Sequence, residues 1–348
     1  MIVVFGVDAH KRTHTVVAAD EAGAELARTT VAATSEGHLD LLRWAEGFGQ
    51  HRWAIEDCRH LSRRLETDLV VAGERVLRVP PKMMAATRRG ARTRGKSDPI
   101  DALAVARAAL SEPGLPAAHL DGPARQLRLL VDYRETLISQ RTAAQSRLRW
   151  HLHELQAGWD PPARSLDVTR TLNRIEEQLT GRPGTVADLA RRYLNRIRDL
   201  TREAADLEKE ITRLVADLTP TLLSIPGCGP LTAAKLIGEA ADISRFHSRD
   251  AYAMWAGTAP IPVWSANTQR YRLNRGGNRQ TNTALHRIAI TQIRCHPDAQ
   301  TYLKHRLANG NTKTEAIRAL KRHLANTIYR ALQHDNAHHH NITHPHAA

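Results

Sequence analysis

The chain is poor in cysteine, has no long apolar run, and contains two stretches without a single acid. Cys58, Cys228 and Cys295 are scattered without metal-ligand spacing, as expected of ordinary thiols in a reducing compartment. No segment approaches the roughly 20 apolar residues of a membrane span. The opening "MIVVFGVD" meets an acid too soon to act as a secretion signal. These absences predict a cytoplasmic protein that does not enter the membrane. No acid interrupts Lys82, Arg88, Arg89, Arg92, Arg94 and Lys96, and none occurs between Ala251 and Pro297. Over all 348 residues, 50 Lys+Arg face 36 Asp+Glu, a net charge of +14. A surplus of that size predicts a polyanionic partner, nucleic acid before acidic lipid.

Hydrophobic content of 42% and charged content of 25% are ordinary for a globular chain of two or three domains. The first hundred residues alternate strand and helix signals. "IVVFGVDA", "THTVVAAD" and "AELARTTVAA" read as a meander, and "SEGHLDLLRWAEGF" as a helix opened by a serine cap. "RWAIED", "HLSRRLETDLVVA" and "RVLRVP" continue as strand, helix and strand. The order predicts one mixed sheet with helices packed on it, over 1–115. A helical region follows, 116–218. There Tyr193, Ile197, Leu200, Ala204, Leu207, Ile211, Leu214 and Leu218 alternate steps of four and three, the heptad pattern of a coiled coil. A second stripe, Leu127 to Leu155, offers an antiparallel mate; a dimer seam is the other way to bury either stripe. A helical domain, 219–333, and an unstructured His-rich tail, 334–348, complete the expected organisation.

Four acids stand where strands end or helices begin: Asp8, Glu56, and the pair Asp98 and Asp101 in "KSDPIDA". Ends of neighbouring strands share one edge of a sheet, so these carboxylates can converge across long gaps in sequence. Converging carboxylates repel unless a cation joins them, and hard oxygen ligands select Mg²⁺, with Mn²⁺ also accepted. Each acid also has a plainer reading. Asp8 could sit in a surface turn, Asp57 could replace Glu56, and Asp98 with Asp101 could serve only a helix start. The base-rich loop carrying Arg88, Arg89, Arg92, Arg94 and Lys96 favours the metal reading, because it is suited to hold a phosphate backbone beside the acids.

"FGVDAHK", "AIEDC" and "KSDPIDA" resemble the Asp, Glu and Asp-x-x-Asp motifs of the RuvC-like nuclease domain in DEDD transposases of the insertion-sequence 110 family. The resemblance extends over nearly the whole chain. It implies an RNase H-like (RuvC-like) domain, a coiled-coil insert and a serine-bearing helical domain. It also implies Mg²⁺ held by Asp8, Glu56, Asp98 and Asp101, and a recombinase acting on DNA under the guidance of a structured, non-coding bridge RNA. A homodimer or homotetramer working at the bacterial nucleoid is implied as well. One departure is local: Asp57, Cys58 and Arg59 follow the glutamate where the family often has Thr and Gly.

In the carboxy-terminal half, "LLSIPGCGPLTAAKLIGE" has the form of a helix-hairpin-helix turn, equally suited to plain packing or to phosphate contact. Arg270, Arg272, Arg275 and Arg279 lie in the second acid-free stretch and can grip phosphate oxygens. Ser265 shows no Ser-His-Asp arrangement. By resemblance, however, it lies eight positions after Gly257 in "WAGTAPIPVWS", where the family carries a nucleophile that forms a phosphoserine with DNA. Arg272, Asn274 and Gly277 resemble the motif just downstream, with spacing that differs by two residues. Two rival readings are a junction-resolving nuclease that uses water, and a nucleic-acid-binding protein without catalysis.

Overall fold

The computed structural model describes residues 2–81, 83–84, 97–112, 114–118, 120, 122–265 and 268–343. The chain divides into two compact units, Met1–Asp121 and Gly122–Ala348.

In the first unit the order is β1 (Val3–Ala9), β2 (Thr13–Ala19), β3 (Glu25–Ala32), α1 (Ser35–Glu46), β4 (His51–Glu56), α2 (Arg59–Val71), β5 (Val76–Val79) and α3 (Asp98–Ser111). The five strands form one sheet in the order β3-β2-β1-β4-β5. β2 runs antiparallel to both β1 and β3, whereas β4 runs parallel to β1 and to β5. This is the RNase H-like sheet that the resemblance implies. β1 is buried along its whole length, as its continuous apolar run requires of a central strand. β3 alternates exposed and half-buried positions, as an edge strand does.

Side-chain alternation sorts the sheet into two layers. Phe5, Val7, Val16, Trp53 and Ile55 pack with Leu41 of α1 and Leu65 and Leu69 of α2. Each such side chain contributes about 1.5–3 kcal/mol by leaving water. Val4, Ala19, Ala54 and Val79 face the other way, onto Ala104, Val105, Ala108 and Ala109 of α3. The first helix is capped by Thr34, whose side chain accepts from the Gly37 amide at 3.2 Å, and not by Ser35 as the sequence suggested.

The second unit contains α4 (Pro123–Leu155), α5 (Thr169–Leu179), α6 (Thr185–Leu218), α7 (Pro220–Leu223), α8 (Pro230–Ala240), a 3-10 turn at Ile243–Arg245 and α9 (Arg249–Trp255). A two-stranded hairpin follows, β6 (Ile261–Ser265) with β7 (Thr268–Arg272), then α10 (Arg279–Cys295), α11 (Pro297–Ala308) and α12 (Lys313–Thr343). α4 and α6 lie antiparallel. Arg134 bonds Glu208 at 2.6 Å while Gln140, further along α4, meets Arg196, earlier on α6, at 3.1 Å. The heptad stripe is therefore buried within the chain, Leu200 and Ala204 against Leu137. Of the two arrangements the stripe allowed, the intramolecular pair is present.

A single core runs from Leu127, Val131, Ile211 and Val215 of the long pair to Tyr252, Leu285 and Ile328. It crosses the boundary expected at 218–219. α12 continues to Thr343, so 334–343 is helical and not the unstructured tail that composition predicted. Asp335, 3% exposed, ties the start of this stretch to the unit: its carboxylate accepts from the amides of Thr221 and Leu222 at 3.1 Å and so satisfies the start of α7.

Candidate active site

The parallel register of β1 and β4 pairs Val7 with Ile55. One residue further, Asp8 and Glu56 leave the same edge of the sheet, on the face covered by α3. Gly6 lets that helix come down onto the strand. A Cβ there would lie 2.0 Å from the Ala102 carbonyl and 2.6 Å from the Ala106 nitrogen, so only glycine fits. α3 starts at the same edge. Ser97 is extended, Pro99 sits in the first turn, and the Ser97 carbonyl accepts the Asp101 amide at 3.0 Å. The first turn thus carries Asp98 and Asp101 to Asp8.

Asp8 and Asp101 are buried, at 8% and 6% exposure, whereas the Asp98 side chain is 54% exposed. His10 Nε2 stands 3.2 Å from Asp8 Oδ2 and 3.5 Å from Asp98 Oδ1. Asp8, His10 and Asp98 each offer one ligand atom within 4.8 Å of the others. Burial raises the pKa of the Asp8 carboxyl; the nearby His10 lowers it, and the charges of Asp101 and Asp98 raise it further. The Cys58 thiol is pushed up to about 11, by burial first and then by Glu56, with Asp8 and Glu66 adding to it. Two consequences follow. Cys58 is no thiolate nucleophile at neutral pH, and Glu56 and Asp8 act on the same sulfur, as their shared edge requires.

The structure therefore brings Asp8, Asp98 and Asp101 into electrostatic contact and sets Glu56 on the neighbouring strand. His10 was missed as a member. It is visible in "FGVDAHK", where its amide closes the β1–β2 turn on the Thr13 carbonyl at 3.0 Å, but a search confined to acids passes over an imidazole. Carboxylate oxygens with one imidazole nitrogen, their ligand atoms within 4.8 Å of one another, form a donor set that fits a divalent cation. Arg88, Arg89, Arg92, Arg94 and Lys96 lie outside the described residues.

Ser265 ends β6 and is paired across the hairpin with Thr268. The hairpin is anchored at its neck. Gly257 takes φ +69, and a Cβ on Gly277 would lie 2.3 Å from the Gly257 Cα and nitrogen. The Asn278 amide donates to the Trp255 carbonyl at 2.6 Å, and Asn274 Nδ2 to that of Met254 at 2.8 Å. Asn282 Nδ2 donates to the carbonyls of Ala256 and Gly257 at 3.0 Å, and its own oxygen accepts from Lys321. Asn278 Oδ1 also caps α10, accepting from the Thr281 amide at 2.8 Å. Glycines and asparagines thus close the neck of the hairpin, and Arg272 at the end of β7, Arg275 just after it and Arg279 at the start of α10 are exposed. The hairpin itself corrects the expectation of a purely helical domain. The Pro226–Gly229 turn packs against α10: Gln292 Nε2 donates to the Pro226 carbonyl at 2.7 Å, and Gly227, φ +82, leaves only 3.1 Å to Thr291 for a Cβ.

The chain thus combines an RNase H-like sheet with an acidic edge and a helical unit that bears a two-stranded hairpin, and the comparisons place this combination among the transposases. A family model described as Transposase, of the DEDD IS110 type, matches residues 5–156, and the Transposase IS116/IS110/IS902 family model matches 219–304. The chain belongs to the insertion-sequence 110 family of transposases, enzymes that cut and rejoin DNA. It is similar to an uncharacterized 44.8 kDa protein of insertion element IS116 from Streptomyces clavuligerus, 28% identical over 94% of both chains. It is also similar to an uncharacterized 42 kDa protein of insertion element IS900 from Mycobacterium paratuberculosis, 26% identical over 97% of both. Among solved structures, T. thermophilus RuvC in complex with a Holliday junction substrate matches at 13% identity and TM-score 0.27, over 34% of this chain and 100% of that one. No helix among the described residues is long and apolar enough to cross a membrane.

Proposed function

We propose that the enzyme cuts and rejoins DNA by means of a serine nucleophile, Ser265, and an acidic site at Asp8, Glu56, Asp98 and Asp101, joined by His10. The observation that carries this is the convergence of Asp8, His10 and Asp98 within 4.8 Å, over a buried Asp101 and beside Glu56. When bound there, Mg²⁺ or Mn²⁺ supplies charge stabilisation to an in-line displacement at phosphorus. The chain's own residues do the rest. The Ser265 oxygen gives up its proton and forms a bond to phosphorus while the bond to one sugar oxygen breaks; that oxygen leaves, takes a proton and becomes a free sugar hydroxyl, and the DNA end is held as a phosphoserine. A hydroxyl of another strand then displaces the serine and reseals the backbone. Arg272, Arg275 and Arg279 hold the negative charge that builds on the phosphate.

The acid-free stretches bind the backbone in a salt-dependent manner. A structured bridge RNA supplies target sequence by base pairing, and a homodimer or homotetramer brings the acids of one protomer to the serine of another. The test is a denaturing gel of the full chain incubated with element-end DNA, its flanking RNA and Mg²⁺. A protein–DNA adduct mapping to Ser265, absent in Ser265→Ala and Asp8→Asn, supports the reading. Cleavage that persists in Ser265→Ala favours a junction-resolving nuclease using water. Behaviour unchanged in Asp8→Asn favours a binding protein without catalysis.

A further inference from the structure

Two aromatic side chains stand unpacked on the hairpin that carries Ser265. Trp264 is 69% exposed and Tyr271 64% exposed, in a chain where only 4% of residues are aromatic. The register pairs Pro262 with Tyr271 and Trp264 with Gln269. Positions 262, 264, 269 and 271 therefore share one face of the ribbon, and Trp264 and Tyr271 are diagonal neighbours on it. Leu273, 46% exposed, extends the apolar side just past the strand. Such a face is a poor choice for water and calls for a partner.

The charge around it selects the partner. No acid occurs from Ala251 to Pro297, and Arg272 at the end of β7, Arg275 in the turn that follows and Arg279 at the start of α10 are exposed. An apolar protein surface would meet this cationic surround without gain. A nucleic acid offers both halves of the match, phosphates for the guanidinium groups and flat bases for the rings. Paired bases are hidden within their stack, so the rings need bases that are unpaired or turned out. The geometry points to Trp264 and Tyr271 as a stacking platform for unpaired nucleobases, one residue from the serine. It rests on the serine reading for its purpose: bases next to a strand being exchanged must leave one duplex before they join another. Stacking would hold them in the interval without reading their sequence, because every base has a π-face.

The test uses the full chain carrying Ser265→Ala, in EDTA, with two fluorescent DNA probes of one length, a complete duplex and the same duplex with an unpaired bulge. Replacing both rings, Trp264→Ala with Tyr271→Ala, is expected to weaken the bulged probe about tenfold and leave the duplex within about twofold. Trp264→Phe keeps a ring and is expected to restore most of the loss. Equal losses on both probes, or no loss on either, would overturn the proposal. So would a fall in oligomeric state by sedimentation with both probes bound as before, which would assign the face to a second copy of the chain. Neither cleavage nor metal enters this measurement. The serine reading fails separately, through absence of the adduct in the unmodified enzyme.

Discussion

The two units build their candidate functional residues by opposite means. In the first, each acid is held by regular structure: Asp8 by a buried central strand, Glu56 by the parallel neighbour, Asp98 and Asp101 by the first turn of a helix pressed onto Gly6. In the second, Ser265 ends a two-stranded ribbon whose anchorage is a neck of glycines and asparagine side chains. The acids are preorganised by a core, whereas the serine is carried on an arm. The difference suits the chemistry. Repelling carboxylates need a rigid frame to stay together, while a hairpin held only at its neck suits the nucleophile role proposed for Ser265.

The comparison can be broken at each end. The largest effect is expected from Asp8→Asn, a loss of DNA cleavage of roughly 10³-fold with the melting temperature little changed, measured by single-turnover cleavage and thermal unfolding. Next are the glycines. Gly6→Ala forces α3 off the sheet and is expected to cost about 3 kcal/mol in urea unfolding, together with divalent-metal binding. Gly277→Ala drives a methyl into the backbone at Gly257, at a similar cost of about 3 kcal/mol, and is expected to abolish the serine adduct while metal binding persists. Loss of metal binding in Gly277→Ala would erase the distinction between the two regions.

The first unit also carries a pH effect that can be read directly. His14, buried against the ring of His38, has its pKa lowered to about 4 by burial first and then by His38 and His10. The unfolded chain therefore binds a proton between about pH 6.5 and 4 that the folded unit refuses. This contribution to stability is complete above pH 6.5 and is lost as pH falls through that window, by about 3 kcal/mol in all. Denaturation monitored at pH 7 and pH 4 checks it, and His14→Phe is expected to flatten the profile. The smallest effect is Thr34→Ala, which removes the cap of α1 and is expected to cost about 1 kcal/mol.

Much of the first unit was legible because its physics is local and repetitive. β-branched runs marked the strands, helical spacing marked α1 and α2, and an acid at the end of an apolar run marked a sheet edge. Gly6 was the weaker signal: in sequence it resembles a turn residue, and only the Cβ distances to Ala102 and Ala106 show a helix lying on it. His10 escaped because oxygen ligands, not imidazoles, are the ones Mg²⁺ selects. The hairpin escaped for a different reason. "IPVWS" and "TQRYR" are short, and Pro262 speaks against a strand; the proline is tolerated because two strands make only edges. Near the end of α12, Asp335 reaches Thr221 and Leu222, more than a hundred residues earlier in the chain, a pairing that composition does not reveal.

The most direct test of the account is a Mn²⁺ titration followed by electron paramagnetic resonance on the full chain. Bound Mn²⁺ in the unmodified enzyme and in Ser265→Ala, lost in Asp8→Asn and in Asp98→Asn, is the predicted result. Uptake by Asp8→Asn equal to that of the unmodified enzyme would contradict it.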